Sequence, residues 1–226
     1  MDISGQVKRV QDNIAAACAR AHRREADVTL VAVTKFVPVE RIRPAILAGI
    51  AHVGENRVQE LVEKLPFFNE MECTAHFIGQ LQTNKVKYIT GQVQSIQSVD
   101  RAALADEIQK QAQKREVVQD IFIEVNIGGE AQKGGIDAND LLPFLAQLQE
   151  NANLCVKGLM CVPPAVGQEE ARPYFAKMKA LFDTCCALPN SKLQHLSMGM
   201  SGDYAAAIEE GATMVRVGSA IFGKRM

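Results

Sequence analysis

Eight apolar, strand-like runs recur along this chain with helical segments between them, and this alternation restricts the fold more than any other feature. The runs cover residues 29–34, 51–53, 76–78, 93–97, 120–126, 156–161, 194–196 and 214–217. Each is followed by a helical segment or by the C-terminus. A strand, a helix and a second strand in succession form a right-handed unit with parallel strands. Such strands are buried on both faces, so they read as continuous apolar runs, as Leu30-Val31-Ala32-Val33 does. Eight units imply closure into an α/β fold of the (β/α)8, TIM-barrel type. An open, doubly wound sheet is the alternative.

The intervening helices are amphipathic. Ile3, Val7, Val10, Ile14 and Ala17 recur at helical spacing over residues 4–22, which predicts an N-terminal helix ahead of the barrel. Ser4 is its expected N-cap. Val39, Ile42, Ile46 and Leu47 mark a second helix, and Val58, Leu61, Val62 and Leu65 a third. A helix over 102–114 has Asp100 as its expected cap, and another begins near Asp140. Pro143 and Pro173 fit if they lie in a first helical turn, where the missing N–H has no partner anyway. No linker, repeat or low-complexity tract divides the chain, and α/β barrels commonly take roughly 200–250 residues. Residues 1–226 therefore read as one domain.

Composition narrows the function classes. The net charge of -1 offers no electrostatic case for nucleic acid or an anionic membrane. No apolar run approaches the ~20 residues of a membrane span. The start of the chain lacks the basic and apolar regions of a signal peptide, so a cytoplasmic location is expected. The six cysteines form no Cys-x-x-Cys pair, and no His stands at zinc-finger spacing, so free thiols and no metal site are expected.

Lys35 closes the first strand. Barrels place their chemistry at the carboxyl ends of strands. A partly desolvated lysine there has a lowered pKa, and its neutral amine can form a Schiff base with an aldehyde. Read alone, it is more simply a lysine leaving the strand for water. Two further segments suit a phosphate. Leu196-Ser197-Met198-Gly199-Met200-Ser201-Gly202-Asp203 passes from a strand through small residues into a helix start, where free N–H groups favour a dianion. Ser201 or Asp203 as a plain cap is the simpler reading. Met214-Val215-Arg216-Val217-Gly218-Ser219 carries an arginine near a strand end and then Gly-Ser. These are strands seven and eight, whose loops often form the phosphate site in barrels. Other strand ends are polar too: Glu55-Asn56, Gln80, Asp100 and Glu124. His76 reads as a packing or hydrogen-bonding residue within strand three. Gly128 to Gly135 is a long, glycine-rich loop after strand five. A Schiff-base lysine plus a phosphate cradle suggests pyridoxal 5′-phosphate (PLP), although a sugar-phosphate lyase would use the same parts.

The motifs Val31-Ala32-Val33-Thr34-Lys35, His52-Val53-Gly54-Glu55-Asn56, His76-Phe77-Ile78-Gly79, Ser98-Val99-Asp100, Gly158-Leu159-Met160, Leu196–Ser201 and Met214–Gly223 occur in order over nearly the whole chain. Together they resemble the pyridoxal phosphate homeostasis (YggS/PROSC) family. The resemblance implies the fold-type III PLP barrel shared with the N-terminal domain of alanine racemase. It implies that Lys35 carries PLP as an internal aldimine. It implies that Ser201, Gly218 and Ser219 hold the phosphate, that Arg216 lies against the pyridine nitrogen, and that Asn56, Met160 and Ser197 line the ring. Met200 belongs to the same cofactor-binding set. Lys133 falls on the lysine of the family's long loop. Thr34, Gln80, Cys161-Val162 and Gly202 depart from the commoner family residues without removing an implied contact. The implied function is PLP homeostasis by a carrier or regulator, with no robust catalysis. The chain ends at Met226 directly after the barrel, so the β-domain from which fold-type III racemases take an acid/base tyrosine is expected to be missing. A slow racemase using Lys35 alone is the enzymatic alternative. PLP-dependent apoenzymes are the expected recipients and a monomer the expected state.

Overall fold

The computed structural model describes residues 2–130 and 132–223. Eight parallel strands close into a barrel in sequence order: β1 Thr29–Val33, β2 His52–Glu55, β3 Thr74–Phe77, β4 Ser95–Val99, β5 Gln119–Glu124, β6 Leu154–Met160, β7 His195–Ser197 and β8 Met214–Val217. The ring closes where Val31 of β1 pairs with Arg216 of β8. The helices are α1 Ile3–Arg20, α2 Val39–Leu47, α3 Val58–Glu70, α4 Ala102–Lys114, α5 Leu141–Gln149, α6 Gln168–Cys186, α7 Tyr204–Glu209 and α8 Ser219–Phe222. The closed ring excludes the open-sheet alternative. The helical segment between β3 and β4 is a 3₁₀ helix over Thr83–Tyr88.

The apolar spacing of α1 buries Ile3, Val7, Val10, Ile14, Ala17 and Cys18, and the helix packs on α7, α8 and α2. Its cap is Asp2 rather than Ser4: the Asp2 carboxylate accepts the Gly5 N–H at 2.9 Å. Asp100 likewise does not cap α4. Arg101 holds the cap position, and Asp100 pairs with its guanidinium instead. Pro143 falls in the first turn of α5, as its missing donor requires. Pro173 lies inside α6 beyond the first turn, and Pro44 and Pro66 lie inside α2 and α3 in the same way. Among the described residues no helix is long and apolar enough to cross a membrane.

Inside the barrel, Val31, Phe122, Met160 and Met214 form a small apolar cluster. A polar chain runs beside it. Arg216 Nη1 donates to Ser197 Oγ at 2.7 Å, and Ser197 Oγ donates to Gln97 Oε1 at 2.8 Å. Gln97 Nε2 donates to Ser95 Oγ at 3.2 Å, and Ser95 Oγ lies 2.8 Å from His76 Nδ1. His76 Nε2 is then 3.1 Å from His52 Nδ1. A guanidinium only donates, so Arg216 sets the direction of the chain's first bonds. His76 thus serves packing and hydrogen bonding. Burial, with His52 and His195 nearby, pushes it down to about 3 and keeps it neutral.

Candidate functional site

The residues of the implied cofactor set lie at the ends of β6, β7, β8, β1 and β2, five neighbours in the closed ring, while Gln80 and Asp100 follow β3 and β4, Glu124 ends β5 and Lys133 lies in the loop after it. Met160 ends β6 and pairs with Ser197, which ends β7. Val33 of β1 pairs with Gly54 of β2, so Lys35 and Asn56 each stand two residues past a matched pair. Gly218 leaves β8 close to Val33, near enough that a Cβ would sit 3.3 Å from the Val33 side chain. The carboxyl ends of adjacent parallel strands thus gather Lys35, Asn56, Met160, Ser197, Arg216 and Gly218 on one arc.

Arg216 is buried. Met214, two residues earlier on β8, belongs to the interior cluster, so strand alternation turns Arg216 inward as well. Its guanidinium donates to two neutral acceptors: Ser197 Oγ and the Cys161 carbonyl, the latter at 2.8 Å from Nη2. Burial pulls its pKa down, with Glu124 and Asp203 among the charges opposing that. A guanidinium keeps its proton regardless. Met160 is part of the apolar floor beneath this level. Asn56 Oδ1 and Ser98 Oγ are buried polar atoms with no partner. Glycine at 79 lets the end of β3 lie against Asn56, because a Cβ there would stand 2.2 Å from the Asn56 carbonyl oxygen.

The phosphate-type segments meet at Ser201. Its Oγ accepts the N–H groups of Gly218 at 3.1 Å and Ala220 at 3.3 Å, linking the β7–α7 loop to the start of α8. Neither Ser201 nor Asp203 caps α7 by its side chain. Asp203 accepts the Met200 N–H at 2.6 Å instead. Gly199 takes φ +91°, with Ala207 filling the space a Cβ would need. Ser219 and Met200 are both exposed, so Met200 stands at the outer edge of the set. Tyr204 turns away from the barrel, its hydroxyl accepting from Asn13 of α1 at 3.1 Å. Lys133 donates to the Pro163 carbonyl at 2.9 Å and pairs with Glu130. That ties the 128–135 loop toward the end of β6; Ala131 in this loop lies outside the described residues.

Two groups escaped the sequence reading. Gln97, in the middle of β4, holds Ser197 from a strand 100 residues away in sequence. Glu124 was legible only as one polar strand end. Phe122 faces the barrel interior, so Glu124 two residues on faces the mouth. Burial pushes its carboxyl up to about 7; Asp100 adds to this and Arg216 opposes it. The folded state therefore binds the Glu124 proton more tightly than the unfolded chain does. The resulting stability is fully present below the ordinary value of 4.5 and is lost as pH rises toward 7. Glu124→Gln is expected to raise stability at about pH 8 by about 2 kcal/mol and to change little near pH 5. Urea unfolding of both proteins at the two pH values checks this.

The family model described as alanine racemase, N-terminal domain, matches residues 6–226. A protein of Aquifex aeolicus named pyridoxal phosphate homeostasis protein is 47% identical over 226 residues, spanning 100% of this chain and 99% of that protein. The structure of PipY from Synechococcus elongatus with PLP bound superposes with a TM-score of 0.81 at 34% identity, over 93% of this chain and 100% of that one. Alanine racemase from Clostridium difficile superposes with a TM-score of 0.75 over 98% of this chain and 60% of its own. At 15% identity that last likeness is one of fold alone.

Proposed function

The chain belongs to the alanine racemase N-terminal domain family, and we propose that it binds PLP at the carboxyl-end arc and serves PLP homeostasis as a carrier or regulator. The observation that carries this reading is a buried arginine bonded to neutral acceptors, set among strand ends that also present Lys35 and Asn56. Relatives bearing the homeostasis name, and a related structure holding PLP, support it.

The residues fit the group. Asn56 Oδ1 and Ser98 Oγ are buried without partners, a state that costs about 1–3 kcal/mol for each atom unless a ligand meets it. PLP supplies an aldehyde that an amine converts to a C=N bond with loss of water. Lys35 provides that amine. Arg216 keeps its proton, so a ring nitrogen beside it stays an acceptor, which suits carriage better than amino transfer. Ser201 uses its lone pairs on Gly218 and Ala220, leaving its own O–H for a phosphate oxygen. Gly218 and Ser219 complete that end. Ser197, held between Gln97 and Arg216, and Met160 beneath it shape the ring's berth. The reading includes a cytosolic monomer that passes its cofactor to PLP-dependent apoenzymes.

The discriminating experiment loads the protein with PLP and adds an apo-aminotransferase and, separately, L- or D-alanine. Reactivation of the aminotransferase without racemisation is expected. Racemisation that vanishes in a Lys35→Ala variant would place the protein among enzymes. Glu124, titrating near neutrality at the mouth, favours that second reading, and Glu124→Gln would then abolish turnover.

A further inference from the structure

Two peptide groups bracket Lys35, and each is gripped from outside the barrel. On the N-terminal side, Lys64 Nζ donates to the Thr34 carbonyl at 2.8 Å. On the C-terminal side, the Phe36 N–H donates to Glu60 Oε2 at 2.7 Å. Both grips come from α3, and Glu55 at the end of β2 joins them. Its Oε1 accepts from Lys64 Nζ at 2.7 Å and from Thr34 Oγ1 at 2.7 Å. Glu60 lies 3.5 Å from the same Lys64 ammonium. Phe36 sits at φ 61° in the left-handed region, with the Arg57 guanidinium 4.3 Å above its ring.

We propose that Glu55, Glu60 and Lys64 are positioning residues that aim the Lys35 amine; the proposal rests on reading Lys35 as the residue that carries PLP. The peptide planes on either side of a residue define its φ and ψ, and these fix the direction of its Cα–Cβ bond. Holding both planes therefore sets where the Lys35 side chain leaves the backbone. Glu55 and Lys64 are buried, Glu55 fully. A buried ion pair contributes little net stability over an apolar pair of the same size, so its presence here calls for another role. Orientation supplies one. It also accounts for a left-handed, non-glycine residue directly after Lys35, a strained conformation that persists where surroundings enforce it.

The test uses three variants: Glu60→Ala, Glu60→Gln and the charge-neutral double substitution Glu55→Leu/Lys64→Met. Each is compared with the wild type in two measurements. The first is backbone amide exchange at Phe36 in the apo protein. Glu60→Ala is expected to speed it about tenfold or more, while Glu60→Gln, which keeps an acceptor oxygen, stays near the wild type. The second is the rate at which added PLP becomes fixable on Lys35 by borohydride, set against total PLP bound. Glu60→Ala and the double variant are expected to bind PLP through the intact phosphate end while attaching it to Lys35 about tenfold more slowly. Attachment at the wild-type rate in both variants overturns the proposal. So does a parallel loss of melting temperature, total PLP and attachment, which marks a purely structural role. If the wild type itself takes no PLP on Lys35, the proposed function fails, and the exchange measurement alone decides the clamp. Unchanged Phe36 exchange in Glu60→Ala then overturns it.

Discussion

Replacing Lys35 with alanine is expected to abolish covalent attachment of PLP and to weaken its binding by about a hundredfold or more. The estimate follows from the advantage of an amine already held beside the aldehyde over one supplied from solution. Lys35 lies in the turn after β1 and is half-buried, outside the apolar core. The variant is therefore expected to fold and melt like the wild type. Equilibrium dialysis against PLP reads the affinity, and mass spectrometry after borohydride reads the covalent bond. Wild-type affinity in Lys35→Ala would remove Lys35 from the site.

Arg216→Gln is the second large effect. The variant loses a cation bonded to Ser197 and to the Cys161 carbonyl, and with it the charge proposed to face the cofactor ring. A hydrogen bond from a charged donor contributes about 1.5–3 kcal/mol, so PLP affinity should fall roughly thirtyfold. A second consequence is independent of PLP. The Arg216 charge opposes the upward shift of the Glu124 pKa. Without it, Glu124 must titrate at still higher pH. Carbon-13 NMR of the Glu124 carboxyl in the apo variant checks the direction. A Glu124 titration unmoved by Arg216→Gln contradicts the coupling described here.

Much of the fold was legible because it depends on local pattern. Apolar runs such as Leu30-Val31-Ala32-Val33 marked buried parallel strands, and β8 has the bounds expected from its sequence. Helix ends were less so. Asp2 wins the α1 cap because its carboxylate reaches the Gly5 N–H, a choice between neighbouring polar residues that spacing alone does not make. The helical segment after β3 was expected, but not its bounds or its 3₁₀ form over Thr83–Tyr88, because a short segment carries too few turns to reveal its period. At the site, glycines, Lys35 and Arg216 stood out as residue types unusual at strand ends. The supporting residues did not. Gln97 reaches Ser197 across 100 positions, and Lys64 reaches the Thr34 carbonyl across 30. In the sequence Lys64 is one more lysine on an amphipathic helix. Only the packing of α3 against β2 buries it.

The most direct measurement is the visible absorbance of the purified protein after incubation with PLP, before and after borohydride, followed by peptide mapping. The account predicts an absorbance band that borohydride bleaches and a pyridoxyl mass confined to the peptide containing Lys35. A colourless protein that takes up no PLP, or a label on any lysine other than Lys35, would contradict it.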